Sequence, residues 1–542
     1  METVTFFVSS KKIHQKEKRK NLSLLLLISY CSIVLFTCSC NSIKQDTGIY
    51  YNILDYGAQS DSTSINTSAI QKAIDQASAN GGGIVIVPPG IYKTGTLFLK
   101  DNTTLEIMSG ATILGSANIE DYTQMTWGHN KDRQPYHLVM GFNAKNIEIR
   151  GGGTIDGNGP AFWKDYDPTK DPQWIMAKEL KVSPMLEIQN CENVRIKDIE
   201  LKTGGGWTVH LYDSKQVQIQ GIRLINNLFA PNGDGIDITG GADITISDCI
   251  IKTCDDAVCL KTTFDSGTCK RVTVANNVIE CSCVALKIGN ESFRDIAQVT
   301  FTNNVIYNSS RAFGLYAESA GKVEDVLISN TIYDSKSPFI YNRPIHISLM
   351  KREGPSGAAG NATHKPEVVL QDDEGREPVL RNIMISNFIG KTEGRILITA
   401  EPDRMIENLT LRDIQLDYPW IEDPVPNIER AKSGQFSPMN PNAKKAKAAM
   451  VIENVQNLVV ENFHINWPTT DEVPADWRFP KRIANGTLDS FYPDYSRARQ
   501  TELSAIWGRN IQGGYIRAPL VQSSDASMPT LDIQNSKLKI LQ

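Results

Sequence analysis

The chain has 542 residues, 41% of them hydrophobic, and a formal net charge of only −5. This composition can supply a large buried core, and it lacks the basic field that a nucleic-acid partner would require. The function must therefore be read from local motifs.

The first 40 residues have the features of an export signal. Basic residues between 11 and 20 precede an apolar run at 22–36, which is too short and too early to form a domain. The run ends in LFTCSCNS, which resembles a bacterial lipobox, so Cys40 is the expected lipidation site and Cys38 the alternative. We expect an exported protein in the periplasm or at the cell surface, anchored by lipid to the outer or cytoplasmic membrane. A plain cleaved signal peptide is the alternative.

A short linker at 41–49 is expected to lead into a single elongated domain at 50–542. Near its start, Asn66 or Thr67 can cap a helix that ends at the glycines of 81–83. The apolar face of this helix consists of Ile70, Ala73, Ile74 and Ala77. The pattern predicts a helix that covers the open end of the domain.

From residue 194 onward, one pattern recurs: an alternating apolar strand, an Asn, Asp or Ser turn, and a second apolar strand. Its first apolar position returns every 23 to 28 residues, at Val194, Val217, Ile244, Val272, Val299 and Val326. A period of this length without a helical stripe is typical of a solenoid of short strands. The sequence predicts an all-β fold, a right-handed parallel β-helix whose coils stack at roughly 4.8 Å.

Three carboxylates lie about one repeat apart, Asp234 in NGDGID and the pair Asp255 and Asp256 in CDDAVCLKT. Stacked coils would bring them to adjacent rungs of one face. A single aspartate in a turn more often caps its own backbone. Adjacent strand residues, however, point to opposite faces unless they lie in a turn or bulge, and three acids together indicate catalysis.

The segment after the leader resembles the glycoside hydrolases of family 28, the polygalacturonase and rhamnogalacturonan hydrolase family, as a divergent member. Its opening stretch, YNILDYGAQ, and the later GGGTIDGNGPAFW resemble the first blocks of that family. The family's Asn-Thr-Asp signature is matched by Asn232, Gly233 and Asp234, and its Asp-Asp pair by Asp255 and Asp256.

The resemblance implies a glycosidase that acts on uronic-acid-containing polysaccharide. By that resemblance Asp255 is the general acid, while Asp234 and Asp256 hold and activate the attacking water. It also implies inversion at the anomeric carbon, for which carboxyl groups about 6.5 to 9.5 Å apart are expected. An acidic cluster could instead bind Ca²⁺, but the chain shows no EF-hand or zinc spacing, and we expect neither a metal nor a cofactor.

The chain departs from the family at two places. Val284 occupies the position of the accessory histidine, and Gly314 and Tyr316 stand where the family has Arg and Lys. In homogalacturonan-cleaving members those basic residues bind substrate carboxylates. Their loss predicts altered specificity, with Tyr316 offering an aromatic wall for a neutral or deoxy sugar.

Other side chains near the acids are candidate substrate-binding groups: Lys261, Lys287, Arg311, His210 and Tyr316. Arginine suits a planar carboxylate or sulfate. Lys287 and Arg311 could also replace the missing basic pair. A lysine at a coil edge is often only a solvated charge, and His210, in a Trp-x-x-His pattern seen in the family, could equally be a buried hydrogen-bonded residue.

Beyond the leader seven cysteines remain, at Cys191, Cys249, Cys254, Cys259, Cys269, Cys281 and Cys283. An oxidising compartment would favour disulfides, such as Cys249 with Cys281 or Cys269. Buried, stacked thiols are equally compatible with their positions in coil strands.

Three polar segments are predicted to be loop insertions, near 352–377, 422–447 and 468–500. The last contains Trp477, which could stack on a sugar or hold the loop against the coils. Two other classes of function stay open: a β-helix lyase or epimerase, and a non-catalytic glycan-binding solenoid. We expect a monomer whose partner is the polysaccharide.

Overall fold

A computed structural model describes residues 49–126, 132–167, 175–337, 342–351, 375–421, 441–469, 473–477, 503–522 and 530–542. The predicted signal and Cys40 lie outside these residues, as does most of the three predicted insertions. Residues Tyr50–Gln542 form one compact unit. Within the described residues, no helix is long and apolar enough to cross a membrane.

The regular structure in the described residues consists mainly of β-strands. The strands of the first half are β1 Tyr50–Asn52, β2 Asp61–Ile65, β3 Gly83–Val87, β4 Gly90–Thr94, β5 Leu97–Leu99, β6 Thr103–Ile107, β7 Ala111–Gly115, β8 Val139–Phe142, β9 Lys145–Arg150, β10 Thr154–Asp156, β11 Leu186–Gln189, β12 Glu192–Lys197, β13 Glu200–Lys202, β14 Val209–Tyr212, β15 Lys215–Gln220, β16 Arg223–Ile225, β17 Ile236–Thr239 and β18 Gly241–Ser247. Those of the second half are β19 Ile250–Thr253, β20 Val258–Thr262, β21 Cys269–Ala275, β22 Val278–Cys281, β23 Val284–Ser292, β24 Ile296–Thr302, β25 Val305–Tyr307, β26 Arg311–Ala317, β27 Lys322–Asp334, β28 Arg343–Leu349, β29 Val379–Lys391, β30 Ile396–Ala400, β31 Ile406–Asp417, β32 Ala448–Asn466, β33 Ser504–Arg517, β34 Leu520–Gln522, β35 Leu531–Gln534 and β36 Lys537–Leu541. Two α-helices accompany them, α1 Thr67–Ala79 and α2 Pro441–Lys445.

Each strand pairs in parallel with its counterpart in the next coil, so the strands form three columns along the molecule. One column runs from β5 through β8, β11, β14, β17, β20, β23 and β26 to β28 and β30. We call this column the floor sheet, because it bears the acidic residues. The predicted parallel β-helix is confirmed.

The predicted repeat is present in the strand register. The positions identified from the sequence pair in succession, from Val194 with Val217 to Val299 with Val326. Their side chains are buried, so one continuous apolar ladder fills the interior. Every second side chain points inward because the strand period is two, and the aliphatic residues at those positions supply the core.

Asn and Asp residues turn the chain at the corners between strands. Asn276, Asn303, Asn330 and Asn387 all have positive φ, between 52° and 61°. Asparagine tolerates this left-handed conformation better than most residues, which explains the recurrent Asn and Asp of the turns. Their side-chain amides also bond along the stack, as from Asn330 to Asn303 at 2.9 Å.

A second asparagine ladder lies inside the coils. The Asn277 Oδ1 atom accepts from the Cys249 backbone N–H at 3.0 Å, and its Nδ2 donates to Asn304 Oδ1 at 3.0 Å. Both asparagines are 1% exposed. A buried amide is tolerated here because its donors and acceptors are satisfied by neighbouring coils.

Helix α1 lies at the N-terminal end of the coils and packs against β1, β3, β5 and β6. The side chains it buries are Ile70, Ala73, Ile74 and Ala77. These are the four residues of the predicted apolar face.

All seven cysteines beyond the leader are free thiols, and all except Cys283 are buried. The disulfide pairings considered for Cys249 are therefore absent, and the alternative of buried thiols describes this structure. The described part of the last insertion includes Trp477, which is also buried. The Lys336 Nζ atom lies 5.3 Å from its ring centroid, so Trp477 holds the segment against the coils.

We expect Asn277→Ala to lower the free energy of unfolding by about 1 to 3 kcal/mol, because the buried N–H of Cys249 loses its acceptor. Asn330→Gly is the matched control, since it removes a rung of the exposed ladder and keeps the positive φ accessible. Chemical denaturation of both variants measures the effect. Equal losses in the two would contradict the role of the internal ladder.

Candidate active site

The three acids lie in the turns that enter two consecutive strands of the floor sheet. Ile236 of β17 pairs with Val258 of β20, and the Gly235 N–H donates to the Asp256 carbonyl at 2.8 Å. This register places Asp234 beside Asp256, and Asp255 next to them. The predicted placement of the acids on adjacent rungs is confirmed.

The two glycines of NGDGID allow the turn that contains Asp234 to pack closely against the turn that contains Asp255 and Asp256. A Cβ on Gly235 would lie 2.4 Å from the Ala257 carbonyl oxygen, and one on Gly233 would lie 2.6 Å from the Cys254 sulfur. Asn232 precedes them with a φ of 49°. Only a residue without a side chain fits at these two contacts, so the spacing of the acids depends on glycine.

The acids differ in exposure. Asp234 and Asp256 are each 3% exposed, whereas Asp255 is partly exposed and lies beside the partly exposed Cys283. Asp255 is therefore the carboxylate at the surface of the cluster, where it can reach a bound molecule.

Burial and mutual repulsion disfavour ionisation of two of these carboxyl groups. Burial, then the adjacent Asp256, raises the pKa of Asp255 to about 6, and the Lys287 ammonium partly opposes the shift. Burial, followed by the charges of Asp255 and Asp237, raises the pKa of Asp234 well above its usual value. Like charges in a low-dielectric site cannot all ionise at low cost, so this cluster retains a proton near pH 6.

Two lysines stand against the acids. The Lys287 Nζ atom lies 2.6 Å from Asp256 Oδ2, and Lys261 Nζ lies 2.8 Å from Asp237 Oδ1. Lys261 also sits over the Trp207 ring, 4.0 Å from its centroid. Burial opposes the charge on each lysine, but the adjacent carboxylates outweigh it and the pKa of both lysines lies above the usual value.

These contacts change the role expected for Lys261. The sequence predicts a substrate contact, but its side chain is 7% exposed and is engaged by Asp237 and Trp207. Lys261 therefore belongs to the floor of the site. The side chain of Lys287 is 15% exposed, and its ammonium group faces the acids.

His210 is likewise a part of the floor. Its Nδ1 lies 2.8 Å from Glu187 Oε2 and its Nε2 lies 2.8 Å from Thr239 Oγ1, and the side chain is 1% exposed. Both ring nitrogens are used within the protein, so the direct substrate contact predicted for His210 is corrected to the alternative of a buried, hydrogen-bonded histidine. The pKa of His210 is lowered, and burial is the main cause.

Glu187, the partner of His210, also forms an ion pair with Arg133. The Arg133 guanidinium group covers the Tyr212 ring at 4.4 Å. This network places the charged side chains of Arg133 and Glu187 in the coils before the acids.

Tyr316 and Arg311 lie in the coils after the acids. Arg311 pairs in register with Val284, and its Nη1 lies 3.4 Å from the Tyr316 hydroxyl group. The same hydroxyl lies 3.3 Å from His346 Nδ1. Arg311 and Tyr316 are 8% and 5% exposed, so little of the predicted aromatic wall lies at the surface.

Sequence reasoning did not identify Asp237, Glu187 or Arg133 as part of this site. A signal for Asp237 was present, because strand alternation in NGDGID puts it on the outer side of the floor sheet. Glu187 occupies the position equivalent to that of Asp237 two coils earlier, because Glu187 pairs with His210 and His210 pairs with Asp237. Arg133 comes from a loop 54 residues before Glu187, and no local pattern links the two.

The cluster offers one arrangement that could hold a cation. Asp255, Asp256 and Cys283 each provide a potential ligand atom, and these atoms lie within 4.8 Å of one another. However, the Lys287 ammonium group already contacts Asp256, and burial raises the pKa of the Cys283 thiol well above its usual value. A protonated thiol is a poor metal ligand, so the arrangement fits compensation by lysine better than a metal.

The fold and the site together define a parallel β-helix protein with a cluster of carboxylates on consecutive coils of one sheet. Residues 90–337 match the family model for glycosyl hydrolases family 28, and over this segment the chain is similar to that family. The predicted resemblance is thereby confirmed. All three acids and all five candidate substrate-binding residues lie within the matched segment.

Individual relatives agree with the family match. The chain is 28% identical over 319 residues to an exo-poly-α-D-galacturonosidase of Dickeya chrysanthemi, covering 50% of this chain and 52% of that protein. The chain thus spans about half the length of this curated relative.

Solved structures show the same fold. An exopolygalacturonase from Thermotoga maritima has a TM-score of 0.54 at 21% identity, over 68% of this chain and 87% of that one. A family 28 exopolygalacturonase from Yersinia enterocolitica has a TM-score of 0.58 at 18% identity, over 77% and 74% of the two chains.

We expect Asp255→Asn to raise the free energy of unfolding more at about pH 8 than at about pH 4.5. The difference should be at most about 3 kcal/mol, and smaller because solvent screens the partly exposed carboxyl group. A carboxyl group whose pKa is higher in the folded state stabilises the fold at pH values below its pKa in the unfolded chain. This stabilisation is lost as the pH rises through about 6, the pKa of Asp255 in the folded protein. Thermal unfolding at the two pH values measures the difference.

Asp248→Asn provides a control of opposite sign. Hydrogen bonds from Gln220, Ser247 and Asn276 lower the pKa of Asp248, so its contribution is present at high pH and lost on acidification. This variant should lose stability at the higher pH. The same sign in both variants would contradict the charge repulsion assigned to Asp255.

Proposed function

We propose that the protein is a glycoside hydrolase that cleaves uronic-acid-containing polysaccharide of the pectin type. One observation carries the proposal: three carboxylates from two consecutive coils meet in one cluster, and the partly exposed member, Asp255, has a pKa raised to about 6. Glycoside hydrolysis needs one protonated carboxyl group and one ionised carboxylate. The leader supports export and a lipid anchor at Cys40 as part of the same proposal.

In the proposed reaction Asp255 donates its proton to the leaving glycosidic oxygen. The bond from that oxygen to the anomeric carbon breaks, a water oxygen bonds to the carbon, and the water proton passes to Asp234 or Asp256. The Oδ1 atoms of Asp234 and Asp256 are buried and receive no hydrogen bond from the described residues. They are adjacent acceptors suited to hold that water.

The measured spacing restricts where the water can lie. An oxygen of Asp255 and one of Asp256 lie within 4.8 Å. This is shorter than the range of about 6.5 to 9.5 Å expected for an inverting pair. In the inverting mechanism that we propose, the water contacts Asp234 and the Oδ1 atom of Asp256, the oxygen that Lys287 does not contact.

A lyase or epimerase is less compatible with the site. Such an enzyme needs a basic side chain poised to remove a proton from the sugar. Lys287 and Lys261 are each paired with a carboxylate, and their raised pKa values hold them protonated. A lyase would release an unsaturated product that absorbs ultraviolet light, whereas a hydrolase would not.

We expect Asp255→Asn to keep the fold and to reduce kcat by about 10² to 10⁴, the usual contribution of a positioned general acid. Reducing-end release from pectic oligomers measures the rate, and proton NMR of the first product gives its anomeric form. Asn330→Gly, on the outer turns, is the control and should hydrolyse at the wild-type rate. A rate near wild type for Asp255→Asn would refute the role of Asp255.

The coil after the acids supports a proposal for the substrate within the pectin class. The relative from Dickeya chrysanthemi is named for galacturonic acid. Here, however, Gly314 and Tyr316 supply no cation, Lys287 is paired with Asp256, and Arg311 packs beside Tyr316. We propose a branched or rhamnose-containing pectin as the preferred substrate.

We expect kcat/KM to be more than tenfold higher on rhamnogalacturonan oligomers than on galacturonate oligomers. Each missing charge-assisted hydrogen bond is worth about 1.5 to 3 kcal/mol, and tenfold corresponds to about 1.4 kcal/mol. Side-by-side kinetics on oligomers of matched length provide the measurement. A preference for galacturonate would show that Lys287 and Arg311 replace the absent basic pair.

A further inference from the structure

Lys287 reaches the acid cluster from the coil that follows it. In register it lies between Cys259 and Gly314, two residues without a charge or a long side chain. Its ammonium group extends to Asp256, with Nζ 2.6 Å from Oδ2. The Asp256 side chain is 3% exposed, so the pair is shielded from water and screened little by salt.

The other cations near the cluster are engaged elsewhere. Lys261 pairs with Asp237, and Arg311 lies beside the hydroxyl group of Tyr316. Lys287 therefore forms a direct ion pair with one acid, Asp256, whereas its charge acts on Asp255 without such a contact. Because a charge pair in a buried site favours the ionised carboxylate, Lys287 makes Asp256 different from its neighbours.

We propose that Lys287 is a positioning residue that holds Asp256 ionised as the catalytic base, so that Asp255 retains the proton for the leaving group. This inference rests on the proposed hydrolase function. It assigns Lys287 a role that acts through Asp256, in place of the substrate contact predicted from the sequence. The second oxygen of Asp256 is buried and receives no hydrogen bond from the described residues.

The electrostatic surroundings of the pair come from several strands and turns. The titratable and charged groups that interact with Lys287 or with the adjacent acids are Asp132, Asp234, Asp237, Cys254, Asp255, Cys259, Lys261, Cys281, Cys283, Arg311 and Tyr316. These groups are unchanged when Lys287 alone is replaced, so a change in pH dependence reports the lysine.

The test compares Lys287→Met, which removes the charge and keeps the length, with Lys287→Arg, which keeps the charge. The base must be ionised, so without Lys287 the acid limb of the kcat/KM profile should move to higher pH. An opposite charge at this range shifts such a group by about 1 to 3 pH units. Lys287→Arg should restore most of the wild-type limb.

Lys145→Met is the matched control. Lys145 forms an ion pair of similar length, 2.9 Å to Glu192, in an exposed position away from the acids. Its profile should coincide with that of the wild type. If Lys287→Met does not fold, Lys287→Gln provides the neutral variant. A neutral variant with an unchanged acid limb overturns the proposal, whether or not its kcat or thermal stability falls.

A readout that needs no turnover separates this inference from the hydrolase proposal. Infrared titration of the protonated carboxyl band, assigned with Asp256→Asn, follows the ionisation of Asp256 directly. The band should titrate at higher pH in Lys287→Met than in the wild type. A shifted band in a protein that hydrolyses no uronan would refute the hydrolase proposal alone, and an unshifted band in an active hydrolase would refute the role of Lys287 alone.

Discussion

The hydrogen-bond register between successive coils is the constraint on which the site depends. Parallel pairing of Ile236 with Val258 determines that Asp234 lies beside Asp256. The backbone bonds of the stack thus hold two carboxylates together that would separate in water. The free energy of packing and hydrogen bonding along the whole stack offsets the repulsion between these carboxylates, so no single residue has to supply it.

Lysines distribute the charge within this arrangement. Asp256 and Asp237 each contact one ammonium group, whereas Asp255 and Asp234 make no ion pair at the floor of the site among the described residues. The two lysines thereby give four aspartates of the same residue type different electrostatic environments. Differences between neighbouring carboxyl groups are the usual basis for separate acid and base roles.

The repeat, the inward ladder and the adjacency of the acids could all be predicted from the sequence, because each follows from a period or from stacking. The strand positions from Val194 to Val326 pair as the period requires. The side-chain partners of Lys261 and His210 could not be predicted. Lys261 was interpreted as a substrate ligand, and for His210 the buried alternative stayed open. A sequence can show that a residue faces the floor sheet, but it does not show whether a neighbouring side chain already binds that residue.

Contacts between distant segments set the limit of such reasoning. Arg133 reaches Glu187 from a loop that has no repeat pattern. Likewise, the sequence left disulfides and buried thiols as open alternatives, and the structure has free thiols, such as that of Cys249, which donates to the carbonyl oxygen of Ser247 at 3.0 Å.

The order of the coils has a consequence for how such a protein can diversify. The acids occupy the turns before β17 and β20, whereas Arg311 and Tyr316 belong to β26. Because each coil contacts mainly its two neighbours, the later coil can be exchanged while the acids keep their register. If the proposed function holds, bond cleavage and sugar choice lie in separate coils along one axis, and a new specificity would need the replacement of one coil without a change in the acid cluster.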